Sequence, residues 1–212
     1  MQEIELDENQ RDALQEVINI GASHAATALS KMVNKDIKIG IPNISIIPIE
    51  ETIECVQYEE IVAGVFLKTK GSLPVYILML TSFDSALNLS NLLLGSEPDF
   101  YKGDLDDMER SAIKEVGNII MSSFFDSITE FIGESMIPGP PSLAYDMPSV
   151  VFEYIMIQLG EVAQKIIVFD VKINEEKQGL FDVDMFLMPE PNTIKMILEK
   201  IGMSDKKNEN EE

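Results

Sequence analysis

Cysteine and histidine are almost missing from the 212-residue chain, which has one of each, Cys55 and His24. A lone thiol excludes an intramolecular disulfide and any multi-cysteine metal centre, and a lone imidazole excludes a His-pair site. Cys55 is read as an inert thiol between strands. His24, five positions past Asn19, is read as a helix-surface group. Basic residues are also few: 16 Lys and Arg stand against 37 Asp and Glu, a formal net charge of −21. A field of that sign repels phosphate backbones and anionic lipid, so it argues against nucleic acid and membrane surfaces and favours a partner that offers Lys or Arg. Long apolar runs are lacking. Val62–Leu67 and Val75–Leu80 fall far short of a membrane span. The acidic start has no signal-peptide character. These absences predict a cytoplasmic protein.

What the chain does have is one polar pattern written twice. Asp12, Glu16 and Asn19 stand at i, i+4 and i+7, and Pro42 follows; Ser111, Glu115 and Asn118 repeat the spacing, and Pro141 follows. All four pairs are offset by 99 (12 to 111, 16 to 115, 19 to 118, 42 to 141). A constant offset over a triad and a distant proline indicates a duplicated unit.

Helix and strand signals repeat in the same order. Residues 8–34 read as a long helix capped by Asp7 or Asn9. Strands are expected over 37–49, 60–69 and 73–81, with a tight turn at Gly71-Ser72, then a short helix over 83–94 stopped at Gly95. The second half restarts with a helix over 104–132, its acidic start suited to a helix N-terminus. A proline-rich bend, a short strand at 142–145, an extra helix at 148–160, strands at 165–173 and 180–188 and a last helix at 192–201 follow. Gly95 and Gly202 differ by 107, a shift assigned to the extra helix. The expected fold is α+β: a pseudo-two-fold duplicated helix–strands–helix unit, with two long motif helices packed on a mainly antiparallel sheet that joins both halves. Residues 1–203 are read as one domain of two halves, 8–98 and 104–202, and 204–212 as a disordered acidic tail.

On a helix each residue advances about 100°, so Glu16 and Asn19 fall within about 40° of Asp12 while Leu14, Val17, Ile18 and Gly21 face the other way. The second helix repeats this, with Ile113, Val116, Gly117 and Ile120 turned from the triad. Gly21 and Gly117 inside helices cost about 1 kcal/mol each against Ala, which predicts close approach of another backbone. One carboxylate and one amide are too few for a metal site. A carboxamide both donates and accepts, which suits it to hold a water in a fixed orientation, and a carboxylate can pair with a partner's lysine. Such groups position rather than attack, and phosphoryl transfer is the chemistry in which positioning carries most of the catalysis.

The spacing Asp/Ser-x3-Glu-x2-Asn-x22-Pro resembles the signature of the CheC-type phosphatases of chemotaxis, relatives of CheX and FliY. It reads DALQEVIN and SAIKEVGN here, and two copies fit the two-site members. The resemblance implies hydrolysis of the aspartyl phosphate on the response regulator CheY-P. Asn19 and Asn118 would then orient the attacking water, and Glu16 and Glu115 would pair with the regulator's lysine. Asp12 and Ser111 would help fix the docking surface, and Pro42 and Pro141 would shape the backbone beneath the helix. It implies no cofactor or metal of the chain's own, the Mg²⁺ arriving with CheY, and a second partner, the receptor deamidase CheD, with Asp146 as a contact. Internal duplication favours a monomer. The competing readings are a non-catalytic CheY-P or CheD binding module and a flagellar-switch-associated protein.

Overall fold

A computed structural model of the chain describes residues 8–41, 43–52, 56, 58–71, 73–100, 103–159, 165–175, 179–190, 193, 196, 197, 199 and 200. Asp7, Pro42, Cys55, Ser72, Gly202 and the tail, for which expectations are given above, lie outside the described residues, as do residues 192, 194, 195, 198 and 201 of the expected last helix. The elements are α1 (Glu8–Val33), β1 (Ile37–Gly40), β2 (Ile44–Pro48), β3 (Val62–Gly71), β4 (Val75–Ser82), α2 (Phe83–Leu94), α3 (Asp107–Ile132), β5 (Met136–Pro138), β6 (Ser142–Asp146), α4 (Pro148–Leu159), β7 (Lys165–Glu175) and β8 (Gly179–Pro189). A 3-10 turn at Ile49–Glu51 follows β2.

The two long helices have the same length, 26 residues, and both bounds keep the offset of 99. Each is followed by a residue in the left-handed region, Asn34 at φ 52° and Gly133 at φ 75°. Glycine and asparagine are the residues that end helices this way. α3 begins at Asp107 rather than 104 because Asp106 caps it. The Asp106 side chain accepts from the backbone N–H groups of Met108 and Glu109, and the Glu109 carboxylate accepts from the Asp106 N–H at 2.9 Å. This is a capping box, in which two orphan donors are satisfied reciprocally. Asp104 instead pairs with Arg110.

The strand expected over 37–49 is two strands, the first ending at Gly40 and the second beginning at Ile44, and the proline-rich bend contains a short strand, β5, that was not expected. All pairings are antiparallel, in the order β1-β7-β8-β4-β3-β5, with β2 also beside β7 and β6 beside β3. Each half thus sends its broken first strand to the outer edge of the other half. The register repeats too. Ile37 opposes Glu175 as Met136 opposes Gly71, and Ile44 opposes Phe169 as Leu143 opposes Val65. Val65 opposes Met79 as Phe169 opposes Met185. The offset therefore rises from 99 in at least two steps along the sheet. The offset is 99 through β1 and β2 (37 to 136), 104 at β3 (65 to 169) and 106 at β4 (79 to 185). The first step falls where α4 replaces the 3-10 turn. Met79 and Met185 face each other on β4 and β8, so the pseudo-two-fold axis passes between them.

Both faces of the central strands are covered, which explains their near-continuous apolar runs. Ile77, Met79, Met185 and Leu187 face the main core under α1, α2 and α3. Leu78, Leu80, Phe186 and Met188 face a smaller core under α4, with Val151, Phe152 and Ile155. On this second face of β7 and β8 the pattern turns polar away from α4's apolar contacts. Asp170 opposes Asp184, and Lys172 opposes Asp182, with which it forms an ion pair. Asn43 donates to Asp170 at 2.7 Å. Burial, and then the charge of Asp170, push the Asp184 carboxyl up to about 6, and burial with the Asp184 charge raises the Tyr58 hydroxyl well above its ordinary value.

Candidate functional site

α1 and α3 lie against each other on the main face of the sheet. A Cβ added at Gly21 would stand 3.0 Å from the Phe124 Cα, so the helices meet backbone to backbone there. A Cβ at Gly117 would stand 2.9 Å from Cγ1 of Val65 on β3. Gly117 therefore lets the helix down onto a strand side chain, and the backbone neighbour expected from sequence is present at Gly21 and not at Gly117. Leu14, Val17, Ile18, Ala22, Ala25 and Leu29 of α1 are buried, as are Ile113, Val116, Ile120, Phe124, Phe125 and Ile128 of α3. Burial of an aromatic the size of Phe124 is worth about 2–3 kcal/mol. This fixes the rotation of each helix, and rotation decides what the opposite stripe presents.

The opposite stripe carries the triads. Asp12, Glu16 and Asn19 are exposed; Ser111 and Glu115 are exposed and Asn118 is half-buried. Among the described residues, none bonds to the side chains of Asp12, Glu16, Glu115 or Asn118. Ser111 donates its hydroxyl to the Asp107 carbonyl one turn back, at 2.8 Å, which leaves oxygen lone pairs facing out. The asparagines differ in support. Gln15 Nε2 donates to Asn19 Oδ1 at 3.3 Å and to the Ile41 carbonyl at 3.2 Å. At the matching place in α3, one turn before Asn118, stands Lys114, also half-buried.

Other residues singled out from sequence fall elsewhere. Pro141 is half-buried just ahead of β6. Asp146 is exposed at the junction of β6 and α4, on neither motif helix, and accepts from the Met147 N–H at 2.7 Å. His24 is exposed on α1. Sequence reasoning missed Gln15, although its place one turn before Asn19 was a usable signal. It also missed Arg110, beside Ser111. Arg110 donates to the Leu105 carbonyl and to Asp104, and its guanidinium lies over the Tyr145 ring at 5.2 Å, tying the start of α3 to β6.

Chemically the stripes offer carboxylates and carboxamides held on rigid helices, with no nucleophile–base pair among them. Among the described residues no group of three His, Cys, Asp or Glu side chains could hold a metal ion, and no described helix is long and apolar enough to cross a membrane.

The CheC-like family matches the chain twice, over residues 10–46 and 108–145. Both matches run from a motif helix into the broken strand after it, and they end 99 residues apart. The CheY-P phosphatase CheC of Bacillus subtilis is 29% identical over 201 residues, covering 93% of this chain and 96% of that protein. In crystal structures, Thermotoga maritima FliY superposes with a TM-score of 0.73 at 18% identity, covering 93% of this chain and 98% of that one. CheX from a CheX–CheY–BeF3–Mg complex of Borrelia burgdorferi gives 0.51 at 18% identity, covering 82% and 96%. At those identities the likeness concerns the fold, the same helices on a curled antiparallel sheet. Two matches to one family, at equivalent places in a duplicated architecture, make each half of the chain similar to the CheC-like family from its motif helix into the strand that follows.

Proposed function

We propose that the chain is a phosphatase acting on the aspartyl phosphate of a CheY-type response regulator, with a site on each motif helix. The observation that carries this reading is the pair of outward Glu-x2-Asn stripes at equivalent positions of α1 and α3. The name of the Bacillus subtilis relative, which covers nearly the whole chain, supports it.

The proposed step is attack of water on phosphorus. The new O–P bond forms as the bond to the aspartyl oxygen breaks, releasing inorganic phosphate and a free carboxylate. Asn19 or Asn118 accepts a hydrogen bond from that water and holds its lone pair toward phosphorus. Glu16 or Glu115 pairs with a lysine of the regulator and fixes the docking. Asp12 and Ser111 flank the contact. Phosphate and divalent cation belong to the substrate. Freezing the orientation of a nucleophile can be worth several kcal/mol, which suits a protein that offers only amides and carboxylates. The acidic surface fits a partner presenting lysine. As further parts of this reading, the chain acts as a cytoplasmic monomer, and Asp146 contributes to a separate contact with CheD.

The test is a time course of phosphate loss from phosphorylated CheY. Asn19→Ala with Asn118→Ala is expected to remove the acceleration, by roughly a hundredfold or more if water orientation is the main contribution, with the circular dichroism spectrum unchanged. A fully active double variant would sink the reading. Protein that binds CheY-P but never hastens its decay would make the chain a binding module instead.

A further inference from the structure

We propose that Gln15 is a positioning residue of the first site, and that it makes the two sites unequal; this rests on the phosphatase reading above. A carboxamide orients water only if its own plane is held, and an exposed asparagine on a helix has two free torsions to lose. Asn19 is exposed, and Gln15 supplies what its own position lacks. The two protons of the Gln15 amide bridge Asn19 Oδ1 at 3.3 Å and the Ile41 carbonyl at 3.2 Å.

The second of those anchors is firm. Ile41 is a buried residue at the break between β1 and β2, next to the motif's proline in the sequence. Its carbonyl belongs to the layer beneath the helix and does not move with the Asn19 side chain. Gln15 is itself half-buried, so the link runs from packed backbone through one amide to the exposed carboxamide. With Oδ1 drawn toward Gln15, the Asn19 amide nitrogen turns away, and Oδ1 keeps a second lone pair for water.

The duplication supplies the contrast. At the offset of 99, Gln15 corresponds to Lys114 and Ile41 to Pro140, while the Glu and Asn are retained. Lysine donates but carries charge on a flexible stem. The second site therefore places a cation one turn from Asn118, which is half-buried and has no neutral amide at the matching place. The first site relies on a bridge, and the second on burial.

Kinetics with the second site removed by Asn118→Ala test this. Gln15→Met keeps the length and helix propensity and deletes the amide, with both donors that make the bridge. In that background it is expected to lower kcat about tenfold, as expected for a reacting group left loosely oriented, with KM within about twofold. Gln15→Lys, which gives the first site the residue the second site carries at Lys114, is expected to leave most of the loss in place; recovery of full kcat would show that the amide is not what makes the sites unequal. A role limited to stability would not separate kcat from KM. Full kcat in Gln15→Met would overturn the inference and leave the phosphatase reading standing. An inactive Asn118→Ala protein beside an active parent would overturn it too, because the first site would then be silent. Loss of all activity from the parent itself would remove both.

Discussion

Single side chains set the distance between layers. At Gly21 the α3 backbone lies where a methyl group would go, 3.0 Å from the Phe124 Cα. Gly21→Ala gains about 1 kcal/mol of helix propensity, but overpacking against backbone costs about 1–3 kcal/mol because backbone yields less than a side-chain tip. The clash should win, lowering the urea midpoint of unfolding by an amount equivalent to about 1 kcal/mol. An unchanged or raised midpoint would mean that the helices separate without cost. The glycine and the Asn19 stripe are two aspects of one helix: the first seats α1 on α3, and that seating turns the second outward. The alternation needed for both is local, and can be read from residue spacing alone.

Among the described strand pairs, β7 and β8 carry a like-charge penalty that the others do not. Asp170 and Asp184 oppose each other across the ladder, where like charges destabilise. The Asp184 carboxyl titrates near 6 in the fold against 3.8 in the open chain, raised by burial first and by Asp170 second. Its neighbours include Lys172 and Asp182, whose charges act in opposite directions, and the Tyr58 hydroxyl, which bonds to it. A raised carboxyl pKa means that the folded state holds the proton more tightly. This group's contribution is therefore fully present below about 3.8 and lost as pH rises through about 6. Asp184→Asn removes the charge while keeping an acceptor for Tyr58. It should be more stable than the parent at pH 7.5, with the gap narrowing toward pH 4.5, in chemical denaturation at the two pH values. A gap that does not depend on pH would show that the carboxyl is not held against its charge.

At the scale of the whole molecule, a net charge of −21 opposes compaction. Salt screens that repulsion over a Debye length of about 10 Å at 0.1 M, so the melting temperature should rise between 20 and 300 mM NaCl. A fall would mean that the few ion pairs, such as Lys172 with Asp182, outweigh the general repulsion. The same field favours a lysine-bearing partner over nucleic acid. Much of this was legible in the chain itself: two long helices, the apolar side of each, the duplicated triads and the antiparallel strand content, because helical period and strand alternation are local properties of the backbone. The broken strands exchanged between the halves were not legible. Hydrogen bonds from β1 and β2 to β7 are made across more than a hundred residues, and no nearby residue encodes which edge a strand will join. The link from Gln15 to Ile41 is of the same kind, 26 residues apart in sequence and 3.2 Å in space. The sequence alone determined which groups stand together on each helix; only tertiary structure decided what lies beneath them, because packing and register depend on contacts between segments that the chain keeps far apart.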